Sequence, residues 1–143
     1  MSTVAQILKT KGSAIHQVEA TSTVFEAIKR MVEANVGALL VTDGGQIIGI
    51  MTERDYLRRV TLEGRTDKEA LVSEIMTSPL IYVTPDTSVD ECMALMTDRR
   101  IRHLPVIEDG DVVGVVSIGD LVKFQTKEQS FQIQYLTEYI TGR

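Results

Sequence analysis

Several things are scarce in this 143-residue chain, and each scarcity excludes something. There is no tryptophan, and the single cysteine, Cys92, cannot form a disulfide within the chain. That fits a reducing compartment. The two histidines, His16 and His103, stand far apart in sequence, and no His/Cys/carboxylate set has metal-ligand spacing. No Walker loop or Gly-x-Gly-x-x-Gly is present either, since Asp43-Gly44-Gly45-Gln46 reads as a turn. A catalytic centre is therefore not expected, and the chain is read as a non-enzyme. No apolar run approaches the roughly 20 residues that cross a bilayer. The N-terminal Met1–Leu8 lacks the basic-then-apolar pattern of a secretory signal. A net charge of −5 argues against a nucleic-acid or anionic-membrane surface, which needs a basic face. The expectation is a cytoplasmic, soluble domain that could still hold a small anion with a few local cations.

What the chain does have is a repeat. Gly49-Ile50-Met51-Thr52-Glu53-Arg54-Asp55 and Gly114-Val115-Val116-Ser117-Ile118-Gly119-Asp120 share a pattern. Each reads glycine, two apolar residues, a hydroxyl, two variable positions, then aspartate. Their starts differ by 114 − 49 = 65. Sliding the chain by that offset aligns Val24–Leu57 with Val89–Val122 without a gap. Val24, Ala27, Ile28 and Met31 fall on Val89, Cys92, Met93 and Met96, one face of an amphipathic helix in each copy. Thr23 with Glu26, and Ser88 with Glu91, give capping-box signals at both starts. A strand, a turn (Asp43-Gly44-Gly45; Glu108-Asp109-Gly110), a second strand and a further helix follow in each half. Upstream, Val4–Leu8 is similar to Val72–Met76, and Ile15–Val18 to Ile81–Val83.

The pattern predicts an α/β (α+β) fold of two repeats, each helix–β–α–β–β–α, packed around a pseudo-twofold axis. The halves are assigned as 1–62 and 72–124, with 63–71 connecting them and 125–143 forming a C-terminal helix. That last helix carries an apolar face of Phe131, Leu136, Tyr139 and Ile140. Halves of roughly 60 residues have little core of their own, so they are expected to pack on each other and leave paired clefts.

The heptapeptides admit two readings. Thr52 with Asp55, and Ser117 with Asp120, have capping-box spacing, so their work could be confined to the helix start. The same geometry also suits a nucleotide. Free N–H groups at a helix start favour phosphate, a hydroxyl adds a donor, and a carboxylate can accept from both ribose hydroxyls. Glycine at position 49 or 114 permits close packing or ligand approach.

On these residues, together with Arg99-Arg100-Ile101-Arg102-His103-Leu104-Pro105-Val106, the chain resembles the tandem CBS-domain (Bateman module) family. The resemblance implies a regulatory module that binds adenine nucleotides. The ligand would be AMP, ADP or ATP, and NAD(H) carries the same adenosine half. Asp55 and Asp120 would hold ribose, and Thr52 and Ser117 would meet phosphate. Thr21, Val83 and Thr84 would lie near the adenine. Arg102 and His103, followed by Leu104 and Pro105, stand where the first copy has Gly37 and Ala38, while Arg54 stands where the second has Gly119. The cations are thus divided between the copies, and the two sites are expected to differ. A homodimer and an unknown protein partner complete the expectation. The alternative is a ligand-free interaction module.

Overall fold

The structure is a computed structural model that describes residues 2–12 and 14–128. The chain divides into two compact units. The first unit is Ala14–Ile81, and the second joins the segment before Ala14 to the chain from Tyr82 onward.

In the first unit β1 (Gln17–Glu19) lies parallel to β2 (Ala38–Asp43), which pairs antiparallel with β3 (Gln46–Thr52). Helix α2 (Val24–Ala34) covers this sheet with Val24, Ala27 and Met31 buried, the face set by its apolar spacing. Thr23 Oγ1 accepts from Glu26 N at 3.2 Å and caps it. After β3 the chain enters α3 (Glu53–Tyr56), which loosens into a π-helical segment, Leu57–Thr61. The connector is held rather than loose: Val24 N donates to Ala70 O and Phe25 N to Asp67 O. Helix α4 (Val72–Ile75) closes the unit, with Val72 and Ile75 buried beside Leu39 and Met51.

The second unit repeats this plan. Helix α5 (Val89–Arg99) buries Val89, Cys92 and Met96. The β4 (His103–Glu108) and β5 (Asp111–Ser117) strands pair antiparallel. The register shifts between Val106 and Ile107, as it does at the equivalent Val41 and Thr42. Both hairpin turns place two residues at positive φ, Gly44 and Gly45 in one, Asp109 and Gly110 in the other. A tight primed turn requires this. A further helix, α6, spans 118–128. The helix expected from 125 onward is thus described only to 128, and its apolar positions lie outside the described residues.

One expected strand is reduced. Val83 makes a single parallel bridge to Val106, in place of a strand over Ile81–Val83. Thr84 N donates instead to Thr87 Oγ1 at 3.1 Å, which turns the chain into α5 and stops the ladder.

The sequence repeats and the compact units do not coincide, because the leading helices are exchanged. Helix α1 (Val4–Lys11) belongs to the second unit, where Val4 N donates to Thr87 O and Ala5 N to Pro85 O. Helix α4, at the head of the second repeat, belongs to the first unit, where Val72 N donates to Ser22 O. The heptapeptide glycines mark these contacts. A Cβ on Gly49 would lie 2.8 Å from Thr77 O and 2.9 Å from Met76 Sδ, and one on Gly114 would lie 2.7 Å from Leu8 Cδ2. Close packing explains both glycines.

Candidate functional site

Each heptapeptide brings a strand end and a helix start together, and each aspartate folds back onto its own hydroxyl residue. In the first unit Thr52 N donates to Asp55 Oδ2 at 2.9 Å, and Asp55 N donates to Thr52 Oγ1 at 3.2 Å. Thr52 Oγ1 also lies 3.1 Å from Asp55 Oδ2. The other carboxylate oxygen, Oδ1, accepts from Thr77 Oγ1 at 3.2 Å. Thr77 is seated by a two-way backbone pairing, Thr77 N to Ile50 O at 2.8 Å and Ile50 N to Thr77 O at 3.0 Å. Asp55 and Thr52 are half-buried.

The second unit builds the same corner with different chemistry. Ser117 N donates to Asp120 Oδ2 at 2.8 Å, and Asp120 N donates to Ser117 Oγ at 3.1 Å. The outer partner is Lys11, whose Nζ lies 2.6 Å from Asp120 Oδ2 and 2.6 Å from Val115 O. Burial pushes the Asp120 carboxyl up, but Lys11 and the Ser117 N–H outweigh it and hold the group below the usual carboxylate range.

Around each corner stand other residues singled out in the sequence. Gly37 O accepts from Glu53 N at 3.1 Å, and Ala38 pairs with Thr52, so both border the first corner. His103 pairs with Ser117, and Arg102 O accepts from Ile118 N at 2.8 Å, so both border the second. Leu104 and Pro105 follow along β4, buried against Val116 and Val115. Arg54 is exposed on the first turn of α3. At the equivalent Gly119, a Cβ would meet only Ser117 Oγ at 3.6 Å, so a side chain there is not sterically barred.

Thr21 and Thr84 stand apart from these corners. Glu19 is level with Thr42 on β2, so Thr21 follows at the far end of the sheet. Thr42 is four residues from Ala38, about 13 Å along a strand. Val83 is level with Val106, and Thr84 continues away from His103. The residues that do lie toward Ala38 are Ile15 and His16, whose carbonyl accepts from Leu40 N at 3.0 Å. Lys11 and Thr77 escaped the sequence reading altogether. Their signal was positional: Lys11 ends the helix at the head of the first repeat and Thr77 follows the one at the head of the second, and each contacts the aspartate of the other repeat.

Among the described residues no group of three or more His, Cys, Asp or Glu could hold a metal ion. Cys92 is fully buried, and burial pushes its thiol up to about 11. A thiol in that state packs as an apolar side chain. No helix among the described residues is long and apolar enough to cross a membrane.

Comparison with known proteins settles the family. The CBS-domain family model matches residues 4–62 and 72–127. The chain belongs to the CBS-domain family. It is 44% identical over 149 residues to the mitochondrial CBS domain-containing protein CBSX3 of Arabidopsis thaliana, covering 98% of this chain and 72% of that protein. Among solved structures it is similar to a candidate signal-transduction protein with CBS domains from Burkholderia ambifaria MC40-6. That match has 53% identity and a TM-score of 0.86, and covers 90% and 96% of the two chains. A hexameric CBS-CP12 protein from bloom-forming cyanobacteria is 29% identical with a TM-score of 0.76, covering 84% of this chain and 70% of that one. The two CBS repeats read from the sequence are therefore those of a regulatory, signal-transduction type of protein.

Proposed function

We propose that this CBS-domain chain is a regulatory adenosine-nucleotide-binding module, with AMP, ADP, ATP or NAD(H) as ligand. It signals to a protein partner through a ligand-dependent change of conformation and catalyses no reaction itself. The observation that carries this reading is the repeated corner. A hydroxyl and a carboxylate, half-buried at the end of an apolar strand, stand in the same relation to each other in both units. In each corner the carboxylate is the ribose acceptor, and the hydroxyl with the helix-start N–H groups faces phosphate. Arg54 supplies positive charge at the first corner and Arg102 at the second, where His103 stands beside it on β4.

The ligand changes the partner's affinity only by its own differential binding to the two states. Self-association is part of the proposal. Phe25, Val32 and Leu57 are exposed at 44%, 74% and 55% on one unit, an apolar surface that a second copy would cover. The hexameric CBS-CP12 relative is a precedent for assembly in the family.

One observation favours the second reading, a ligand-free interaction module. Asp55 already has donors on both oxygens from Thr52 and Thr77, so its capping role is complete without a ligand. Thermal shifts with AMP, ADP, ATP, NAD(H) and S-adenosylmethionine separate the two. Ligand at 100 times its Kd adds about 2.7 kcal/mol to stability, which appears as a clear rise in Tm. No rise with any of the five supports the interaction module.

A further inference from the structure

The partners of the two aspartates differ in a specific way. In the first unit two groups of Thr77 do two jobs: its backbone N–H donates to Ile50 O and its hydroxyl donates to Asp55. In the second unit one ammonium does both. Lys11 Nζ donates to Val115 O, the counterpart of Ile50 O, and to Asp120, the counterpart of Asp55. Each contact is 2.6 Å. A neutral residue held by an isolated bridge has been replaced by a cation reaching from the end of a helix.

The replacement changes the charge of the corner. Asp55 meets two neutral hydroxyls and backbone N–H, whereas Asp120 meets a full positive charge in direct contact. An ammonium has three donors, and two are used here among the described residues. In this reading the third faces a ligand. Lys11 and Asp120 also line a cavity of about 310 Å³ with Thr10, Lys123, Phe124 and Lys127. Three lysines and one aspartate therefore share it. The 410 Å³ cavity of the first unit lies elsewhere, between α2 and α3, and does not include Asp55.

We propose that Lys11 is a specificity-determining residue for the Asp120 site. It offsets the carboxylate's charge so that this site prefers the more highly phosphorylated nucleoside, a di- or triphosphate, over the uncharged nucleoside. The proposal rests on the reading of Asp120 as a ribose acceptor. A carboxylate that binds ribose repels phosphates carried on the same sugar. At the Asp55 corner that repulsion is opposed by the Arg54 charge, which stands on the exposed helix surface. At the Asp120 corner Lys11 cancels it at contact distance, and Lys123 and Lys127 extend the positive field.

The test is an NMR titration of the full chain with adenosine, AMP, ADP and ATP in magnesium-free buffer, following the Ser117 and Asp120 amides. Wild type, Lys11→Met and Lys11→Arg are compared. The expected result is that Lys11→Met lowers the ratio of ATP to adenosine affinity at these amides by roughly five- to tenfold. Adenosine affinity itself changes little, and Lys11→Arg retains the ratio. Equal loss for all four ligands in Lys11→Met, or no change for any, overturns the proposal while leaving nucleotide binding intact. Absence of any shift in the wild type, at these amides and at those of Thr52 and Asp55, overturns the nucleotide reading and this proposal with it. A Lys11→Met protein that fails to fold is replaced by Lys11→Gln under the same criteria.

Discussion

Asp55 and Asp120 occupy the same place in two copies of one motif, yet the chain has finished them differently. Both accept from the backbone N–H of their own hydroxyl residue at nearly the same distance, 2.9 Å and 2.8 Å. Beyond that shared cap the surroundings diverge. Asp55 distributes its contacts over both oxygens among neutral donors, while at Asp120 the Lys11 ammonium and the Ser117 N–H converge on Oδ2. Repetition therefore preserves the part of the motif that starts a helix. The part facing outward is free to change, because its partner comes from the exchanged leading segment of the other repeat.

The strongest way to probe that exchange is at the two glycines. At Gly49 the nearest obstacle to a Cβ is the Thr77 carbonyl, which is backbone and tied into a bridge with Ile50. At Gly114 it is the far end of the Leu8 side chain, which can rotate. Gly49→Ala is expected to cost about 2–3 kcal/mol and Gly114→Ala about 1 kcal/mol, within the usual range for overpacking. Urea denaturation of the two variants measures both. Equal costs would mean that the leading segments pack with equal rigidity.

A smaller effect separates the aspartates by pH. The Asp120 carboxyl is held below its ordinary range in the folded protein. Its contribution to stability is therefore present above the unfolded value, about 3.9. That contribution is lost as pH falls through the lower folded value. Removing the ammonium with Lys11→Met leaves burial less opposed, so the folded value rises and the contribution shrinks. The stability gap between wild type and Lys11→Met is expected to be widest at neutral pH and to close as the pH falls through the lowered folded value of Asp120. Added salt narrows the gap as well, since the pair is partly exposed. A gap that stays constant with pH would show that Lys11 contributes packing rather than charge.

How much of this was legible in the sequence depends on how far apart the interacting residues lie. The amphipathic faces of α2 and α5, their Thr23 and Ser88 caps and the two hairpins follow from residues three to four apart, and all appear as read. The exchange of α1 and α4 could not be read. Lys11 and Asp120 are 109 positions apart, and nothing local to either announces the other. Thr21 and Thr84, which the family resemblance sets near the adenine, follow the first strand of each copy, and their distance from the corners is not legible locally. The register of a parallel strand is set by pairing across the sheet, and it puts them at the opposite end. The reduction of the Ile81–Val83 strand to one bridge has the same origin, since Thr84 turns to Thr87 where the strand would have continued.

The smallest expected effect sits at the ends of α2 and α5. Asn35 and Arg100 both take left-handed conformations there, each with φ near 55°. Asparagine tolerates this region, whereas a long side chain is strained in it by roughly 1 kcal/mol. Arg100→Gly is expected to raise stability by about 0.5–1 kcal/mol, and Asn35→Gly to change it by only a few tenths. Thermal denaturation of the two variants compares the paired helix ends directly. A loss on Arg100→Gly would mean that the arginine's own interactions outweigh the strain.

The account's central claim is that the two corners are nucleotide sites of unequal character. Calorimetric titration of the wild-type chain with ATP and with AMP tests it most directly, alongside Asp55→Ala and Asp120→Ala. Two classes of site with different affinities are predicted, with each variant removing one class and the ATP-preferring class disappearing with Asp120. Two identical, independent sites for both nucleotides, or unaltered binding in both variants, would contradict it.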